Sequence, residues 1–420
     1  METNQKNGIE YWKKLVIVLC LGWVAIWIYR TVLTPIYPEI QSALGDISDT
    51  QIGLIATFYY AAYCGGQIPA SIVVEKIGQK LTLLCGFSLF TIGTLVIGSA
   101  SVINVVYAGS LLSGLGCASF FCSAYSLSGE NVPQKRRVLA SAIVNSGSAV
   151  GMGIGLVGSS ILVKDMNVAW NNVLYISAAI IFTMLIVFAK AIKPREKSAE
   201  TSATATATAS SKVESDNNEG AQQSLFSMDL VAVYFLYFCT CYGYYMIVTW
   251  LPSYLQTERG FEGAAIGGAS ALVAMVAVPG ALFFSAIADK YKSVVIKLVI
   301  FLEIGAAIML TFTVIAPNST VLMISLVVYG FIGKVSLDPI LISHVTERVQ
   351  KVRMARALAI FNLSGMSSSI IAPPLTGLIS DITGSKVIGF YLSAGLIVSG
   401  VAFFVFITLK SSRKSQTQFA

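Results

Sequence analysis

Charged residues are scarce in this 420-residue chain. Asp, Glu, Lys and Arg make up 12% of it and hydrophobic residues 55%, whereas soluble domains carry roughly 25% charged residues. Too few polar side chains remain to cover a soluble fold, so the composition predicts a protein embedded in a lipid bilayer. The net charge of +7 is not gathered on a soluble basic face of the kind that nucleic-acid binding requires, so we expect no nucleic-acid partner.

Residues that commonly bind metals are also few. The chain has one His and seven Cys, and every Cys lies in an apolar segment, whereas a structural zinc site usually takes about four ligands. The sequence has no Gly-x-x-x-x-Gly-Lys-Ser/Thr nucleotide loop and no evident pairing of a nucleophile with a base. We therefore expect no metal, no cofactor and no enzymatic activity.

Long apolar runs take up most of the chain. About 20 apolar residues are needed for a helix to cross roughly 30 Å of hydrocarbon, and twelve segments meet that requirement, which predicts an all-α polytopic membrane protein. We number these spans 1 to 12, and their limits are 14–42, 51–74, 80–100, 103–128, 138–163, 169–190, 228–254, 263–288, 293–315, 319–346, 354–379 and 386–409.

Basic residues between the spans indicate the orientation. Most of the 28 Lys and Arg residues fall at the two termini and in the loops after even-numbered spans. Only Lys164, Arg259 and Lys386 fall on the opposite side. By the positive-inside rule, both termini are expected to be cytoplasmic and the protein to cross the cell membrane many times.

The chain also repeats itself. The segment 136–145 (Arg-Arg-Val-Leu-Ala-Ser-Ala-Ile-Val-Asn) is echoed 217 residues later by 353–362 (Arg-Met-Ala-Arg-Ala-Leu-Ala-Ile-Phe-Asn), and Ile52-Gly53 is echoed by Ile266-Gly267. A duplicated transporter usually places its substrate site where the two halves meet. The repeat predicts two pseudo-symmetric six-helix bundles.

A polar segment separates the two halves. Residues 193–227 are rich in Thr, Ala and Ser and poor in large apolar residues, a composition that predicts a disordered cytoplasmic linker. The predicted N-terminal bundle is therefore 1–192, and the predicted C-terminal bundle with a short cytoplasmic tail is 228–420.

The loops after spans 2 and 8 carry related motifs. The first reads Ser71-x-x-x-Glu75-Lys76-x-Gly78-Gln79-Lys80, and the weaker second reads Ser285-x-x-x-Asp289-Lys290. Twelve spans in two similar halves with such loops resemble the major facilitator superfamily, whose loop motif is Gly-x-x-x-Asp-Arg-x-Gly-Arg-Lys/Arg. The resemblance implies a transporter that works by rocker-switch alternating access.

A narrower resemblance covers spans 1, 2, 7 and 11. The pattern Arg30…Pro38-x-Ile40…Leu44…Gln51-x-Gly53…Tyr63-x-x-x-Gln67-x-Pro69, with Trp250-Leu251-Pro252-Ser253-Tyr254-Leu255 and Asn362-x-x-Gly365, is similar to the anion:cation symporter family. That family includes carriers of sugar acids and aromatic carboxylates, which implies proton-coupled symport of a small organic anion. The chain departs from the family at three positions, where acids or an Arg are usual: Tyr29, Ser110 and Cys117.

Two cations lie inside predicted spans, Arg30 in span 1 and Lys334 in span 10. A charge at mid-bilayer costs roughly 2.5–3.5 kcal/mol, so such residues usually face a wet cavity or a partner. At the repeat shift, Arg30 corresponds to Ile247 and Lys334 to Cys117, so neither cation is duplicated. We expect both to bind an anion. The alternative is that both are paired structurally, in the case of Lys334 permanently with Asp338 one turn later.

The remaining site predictions fall into three groups. Substrate binding is assigned to Arg30, Tyr63, Gln67, Asn145, Tyr242, Tyr245, Lys334 and Asn362; Tyr63, Gln67, Tyr245 and Asn362 are implied by the resemblance. Proton coupling is assigned first to Asp338 and second to Glu303. A cytoplasmic gate is assigned to Glu75, Lys76, Gly78, Lys80, Asp289, Arg136, Arg353 and Arg356.

Two other transport functions fit the same residues. An organophosphate:phosphate antiporter also uses cavity cations and needs no proton site, and an exporter of amphipathic compounds would depend more on the aromatic lining. The expected partners are a small organic anion, a proton or sodium ion for coupling, and the lipid bilayer. We expect the protein to be a monomer.

Overall fold

The computed structural model describes residues 2–45, 47–133, 136–193, 225–291, 294–350 and 353–417, and within those ranges it contains helices and no strand. Residues 194–224, most of the predicted linker, lie outside the described residues. The all-helical prediction is confirmed.

Fourteen α-helices account for the twelve predicted spans in the described chain. They are α1 (Glu2–Val32), α2 (Tyr37–Ala43), α3 (Asp49–Ile77), α4 (Gln79–Gly98), α5 (Ile103–Asn131), α6 (Arg137–Ser160), α7 (Trp170–Ala191), α8 (Met228–Arg259), α9 (Ala264–Lys290), α10 (Val295–Ile315), α11 (Ser319–Ile332), α12 (Lys334–Arg348), α13 (Met354–Thr383) and α14 (Val387–Thr417). Span 1 consists of α1 and α2, and span 10 of α11 and α12. Span 5 is α6 followed by a π-helical turn, Ile161–Asp165, and every other span is one helix.

Eleven of these spans are long and apolar enough to cross a membrane, as judged over the described residues. The exception is α3, whose 29 residues are sufficient in length. Its middle carries Tyr59, Tyr60, Tyr63 and Gln67, which lower its hydropathy. The least apolar span is therefore the one that supplies two of the predicted substrate-binding side chains, Tyr63 and Gln67.

Span 10 is broken at Gly333, whereas we expected one helix over 319–346. The amides of Ser336 and Leu337 both donate to the carbonyl of Gly333, which starts α12 anew. Pro339 has no N–H and its ring excludes the carbonyl four residues earlier, so the first turns of α12 are loosened. A Cβ on Gly333 would lie 2.6 Å from the Tyr329 carbonyl oxygen. The break places Lys334 at the N-terminus of a half-helix.

Small residues allow α1 and α6 to pack closely. A Cβ on Gly147 would lie 2.6 Å from the Cys20 carbonyl oxygen, and a Cβ on Gly151 or Gly155 would collide with α1 as well. Gly residues four apart on one helix face are typical of membrane helices in close contact. This packing fixes α1, and with it Arg30, inside the N-terminal half.

The two halves touch at one end of the molecule, which we call the far end because it is opposite the end where α1 begins. A Cβ on Gly53 would lie 2.5 Å from the carbonyl oxygen of Pro373, and a Cβ on Gly267 would collide with the carbonyl of Leu156. Gly53 and Gly267 are equivalent in the sequence repeat, and so are Leu156 and Pro373. The duplicated Ile-Gly pair therefore forms the interface between α3 and α13 and between α6 and α9.

Two aspartates reinforce the far end, and they too are related by the repeat. Asp381, in α13, accepts hydrogen bonds from the amides of Asp49 and Thr50 at 2.8 and 2.9 Å, so it caps α3 of the other half. Asp165, after α6, accepts from the amide of Ala264 at 3.2 Å and so caps α9. A carboxylate at a helix N-terminus is favourable because it satisfies orphan donors and interacts with the macrodipole.

Ion pairs add to this interface. Lys386 Nζ lies 2.8 Å from Asp49 Oδ2, and Lys164 Nζ lies 2.6 Å from Glu39 Oε1. Lys164 also donates to Gln256 in the other half at 2.7 Å. The two lysines that depart from the predicted charge distribution are thus bound in structural contacts at the far end.

Toward the end at which α1 begins, apolar side chains of the two halves are exposed. Further along α3 and α13 from their far-end contacts, Ile68 and Leu363 are 67% and 61% exposed. Along α9, Leu282 is 71% exposed. The contacts between the halves described above lie at the far end, and we call the opposite end the open end.

Candidate substrate site

Arg30 lies inside a cage of aromatic rings. Its guanidinium carbon lies 4.5 Å from the ring centre of Tyr63 and between 5.1 and 5.6 Å from four further rings. These belong to Trp23, Trp27, Tyr59 and Tyr60. Cation–π attraction to a desolvated ring is worth about 1–2 kcal/mol, so the cage accommodates the charge where a lone cation would be costly.

No carboxylate within the described chain forms an ion pair with Arg30. Its Nε donates to the Tyr59 hydroxyl at 3.0 Å, and its Nη2 lies 3.9 Å from the Cys117 sulfur. Cys117 occupies the position that the family resemblance assigns to an acid, which explains why no counter-charge is present. These neutral partners leave the guanidinium charge without a counter-ion among the described residues, and a carboxylate fits such a planar fork.

Lys334 is paired, as its spacing from Asp338 suggested. Its Nζ lies 2.7 Å from Asp338 Oδ2, and the two side chains are 16% and 24% exposed. The rings of Tyr244 and Tyr237 lie 5.3 and 5.7 Å from Nζ. Asp338 Oδ1 is buried without a hydrogen-bond partner in the described chain, so the pair is only half satisfied.

A row of tyrosines connects the two cation sites across the halves. Tyr60, in the cage of Arg30, meets Tyr245 at a ring-centre distance of 5.3 Å, and Tyr245 meets Tyr244 at 5.4 Å. Tyr244 in turn contacts Lys334. The predicted residue Tyr245 therefore lies between the two cations, and its hydroxyl is 3.3 Å from the Met366 sulfur.

A cavity lies beside Lys334, between the halves. Its walls come from α1, α6, α8, α9 and the break between α11 and α12, and they include Trp27, Tyr244, Ile247 and Lys334. Trp27 also belongs to the cage of Arg30. The cavity thus touches both cation sites, and Ile247, the repeat equivalent of Arg30, lies in its wall.

The other predicted substrate residues are not all at this site. Gln67 follows Tyr63 by one turn of α3 and is half-buried. Asn145 is exposed and accepts from the Tyr125 hydroxyl at 2.7 Å, and Asn362 is exposed on α13. Tyr242 is 1% exposed and packs against Phe238, apart from the rings around either cation.

Glu303 is buried in the C-terminal half, 1% exposed. Its Oε1 accepts a hydrogen bond from the Thr240 hydroxyl, and its Oε2 has no hydrogen-bond partner among the described groups. No cation within the described chain forms an ion pair with it. A buried unpaired charge is costly, so this environment is suited to the neutral acid and makes Glu303 a candidate for holding a proton.

The predicted gate residues lie around the open end. Glu75, Lys76 and Arg356 are exposed, as are Asp289 and Arg136. Gly78 links α3 to α4 with φ of 84°, a conformation that glycine adopts without strain. The neighbouring Gln79 donates to Glu130 at 2.7 Å, an interaction the loop motif did not reveal. In the described chain Glu75 forms no ion pair with the other half, so the gate stays a prediction.

Sequence reasoning missed most of the aromatic cage. Trp27, Tyr59 and Tyr60 carry no charge and match no motif, so nothing distinguished them from core aromatics. One signal was available, because Trp23, Trp27 and Arg30 are spaced as one helix face, and the tyrosines of α3 that they meet, three and four residues apart, also share one face. The far-end aspartates were missed because trans capping depends on the approach of the two halves.

Comparison with known proteins places this geometry in context. A sequence profile of the Major Facilitator Superfamily matches residues 19–373. The probable sulfoacetate transporter SauU of Cupriavidus necator is 23% identical over 93% of this chain and 92% of its own length. The 3-(3-hydroxy-phenyl)propionate transporter of Escherichia coli is 21% identical over 86% of both chains.

A solved structure shares the fold. The bacterial homolog of the human lysosomal transporter Spinster, in its inward-facing and occupied conformation, superposes with a TM-score of 0.79. It covers 95% of this chain and 97% of that one, at 14% sequence identity. At that identity the match supports the arrangement of helices and carries no information about the ligand.

Proposed function

The chain belongs to the Major Facilitator Superfamily, and on that premise we propose that it is a proton-coupled symporter of a small organic anion. It is a multi-pass membrane transporter and not an enzyme, and relatives with similar sequences transport organic anions. The observation that carries the proposal is Arg30, a caged cation without a carboxylate partner in the described chain.

The anion binds between Arg30 and Lys334. The Arg30 fork takes the carboxylate, and Lys334 approaches it by leaving Asp338. Because Asp338 then loses its counter-charge in a half-buried position, it takes up a proton. One anion and one proton enter together, so the net charge of the site is the same when empty and when loaded, which favours movement of both forms across the membrane.

Alternating access follows from the two ends of the molecule. The bundles 1–192 and 228–420 rock about the site, and the far-end contacts break as the open end closes around the gate residues. The charge distribution between the spans supports a location in the cell membrane with both termini in the cytoplasm, and the far end then faces outward. One chain supplies both cations, so a monomer is sufficient for transport.

Removing Arg30 tests the proposal. A charge-assisted hydrogen bond is worth about 1.5–3 kcal/mol and a partly buried unit-charge pair about 4 kcal/mol, so Arg30→Ala should weaken anion binding by roughly 30-fold or more. Purified protein is screened by thermal shift against carboxylates, sugar acids and sugar phosphates, because a ligand of the folded state raises the melting temperature. Lys297→Ala, which removes an exposed positive charge on α10, is the matched control.

Uptake by proteoliposomes then separates the functions. Accumulation driven by a pH gradient, with no anion inside, supports symport. Uptake that requires internal phosphate and ignores the pH gradient would establish the antiporter instead. If Arg30→Ala binds the anion with an affinity within about twofold of the wild type, the proposed anion site is refuted.

A further inference from the structure

The cavity between the halves is lined almost entirely by hydrocarbon. Its walls include Met152 and Leu156 of α6, Ile247 and Val248 of α8, and Val273 and Ala274 of α9. Apolar walls reward a ligand for the apolar surface that it removes from water. This apolar wall is therefore suited to the body of a ligand whose charged head is held by the cations.

The two serine hydroxyls in the wall already donate to backbone carbonyls, and the remaining hydroxyls among the lining residues belong to Tyr244 and Tyr329. Ser148 donates to the Asn145 carbonyl at 2.7 Å, and Ser270 donates to the Ile266 carbonyl at 2.9 Å. Each hydroxyl of a ligand gives up hydrogen bonds to water on entering the cavity, and it would find few partners here. A buried polar group left unsatisfied costs much of its hydration free energy.

One polar group in the wall has no partner. The indole Nε1 of Trp27 is buried and forms no hydrogen bond within the described chain, although Trp27 lines the cavity and contacts Arg30. Buried donors are normally satisfied. A donor beside the cation suits an acceptor on the head group of the ligand, such as the second oxygen of a carboxylate.

From these observations we propose that the substrate is a carboxylate with an apolar, unhydroxylated body, and not a sugar acid. This inference rests on the proposed function, because it assigns the head group to Arg30 and Lys334. The body lies in the cavity between α6, α8 and α9, and the head group lies at Trp27 and the cations. The specificity of the carrier for its substrate is then set by the hydrocarbon wall as well as by charge.

Three ligands with one carbon skeleton test the proposal. Cyclohexanecarboxylate has the apolar body, quinate has the same ring and carboxylate with hydroxyl groups added, and cyclohexanecarboxamide has the apolar body without the charge. Calorimetric titration of the full-length protein should give cyclohexanecarboxylate an affinity about 30-fold or more above that of quinate, because the hydroxyls lose their hydration. The amide should bind much more weakly than the carboxylate.

A substitution in the wall provides a second measurement. Val248→Asn adds a donor and an acceptor to the cavity, so it should narrow the preference for cyclohexanecarboxylate over quinate by about 10-fold. Val102→Asn is the matched control, because Val102 is 54% exposed before α5 and outside the cavity. Its ligand preference should equal that of the wild type.

The outcomes separate this inference from the proposed function. Quinate binding as tightly as cyclohexanecarboxylate, while still lost in Arg30→Ala, overturns the apolar-body inference and leaves the anion carrier standing. Equal binding of the amide and the carboxylate, unchanged by Arg30→Ala, overturns the anion carrier itself and favours an exporter of amphipathic compounds. Failure of folded protein to bind either carboxylate also overturns the inference.

Discussion

Asp381→Asn should weaken the closed far end. The Asp381 carboxylate receives the amide of Asp49 on one oxygen, and the amide and hydroxyl of Thr50 on the other. Asparagine has nearly the same shape but only one oxygen, so its NH₂ group would face a backbone donor. The substitution therefore tests the cap with little change in volume.

The expected cost can be estimated from these contacts. Loss of a hydrogen bond to a charged group is worth about 1.5–3 kcal/mol, and loss of the negative charge at the helix N-terminus adds about 0.3–1 kcal/mol. Part of this free energy is recovered because the one remaining oxygen of the asparagine still accepts a hydrogen bond from a backbone amide. A net cost of about 2 kcal/mol shifts the equilibrium between closed and open far ends by roughly 30-fold.

Hydrogen exchange of the Asp49 and Thr50 amides measures this shift directly, because those amides exchange when the cap opens. Exchange should accelerate by roughly the same factor in Asp381→Asn. Asp165→Asn should accelerate exchange at Ala264 by less, about fivefold, because a single bond of 3.2 Å is lost there. Glu262→Gln, an exposed carboxylate before α9, is the charge-matched control, and unchanged exchange at 49–50 in Asp381→Asn would refute the reasoning.

Two further predictions concern closure and coupling. Gly53→Ala places a Cβ 2.5 Å from the Pro373 carbonyl oxygen, so proteoliposome uptake should fall by about tenfold or more. The control is Gly65→Ala on the same helix, where a Cβ would meet no atom within 4 Å and transport should be normal. Equal uptake rates for the two variants would contradict the close approach at Gly53. Asp338→Asn should bind the anion at least as tightly as the wild type, because Lys334 loses its competing carboxylate, while uptake no longer follows the pH gradient. If uptake by Asp338→Asn still follows the gradient and that by Glu303→Gln does not, the coupled proton belongs to Glu303.

The helices and their grouping into two halves could be predicted because the length of apolar segments and the internal repeat are both visible in the sequence itself. The repeat also indicated contacts between the halves, since Ile52-Gly53 and its copy Ile266-Gly267 lie where the backbones of the two halves meet. The break at Gly333 was not predicted, because α11 and α12 together have the length of one span. It becomes visible only when the packing of Gly333 against Tyr329 is known.

The charged part of the site was predicted better than its neutral part. A charge inside an apolar span is conspicuous because it is costly, so Arg30, Lys334 and Asp338 could be identified one by one. Tyr59, Tyr60 and Trp27 join the candidate site only through their positions around Arg30, whereas other aromatic residues of these spans pack in the core. Tyr242 illustrates the difference. It is a tyrosine in the same stretch of α8 as Tyr244 and Tyr245, but it packs away from both cations.

The symmetry of the far end has an energetic consequence for transport. Asp381 and Asp165 cap helices in opposite halves, so the proposed rocking movement would break both caps together with the Lys386–Asp49 pair. These contacts add up to several kcal/mol, whereas a carrier cycles efficiently only if its two states differ little in free energy. Contacts of similar strength must therefore form at the open end when the far end opens. Glu75 lies near the end of α3 and Arg356 near the start of α13, both exposed and of opposite charge. The need for such a contact is the physical reason for expecting a gate there.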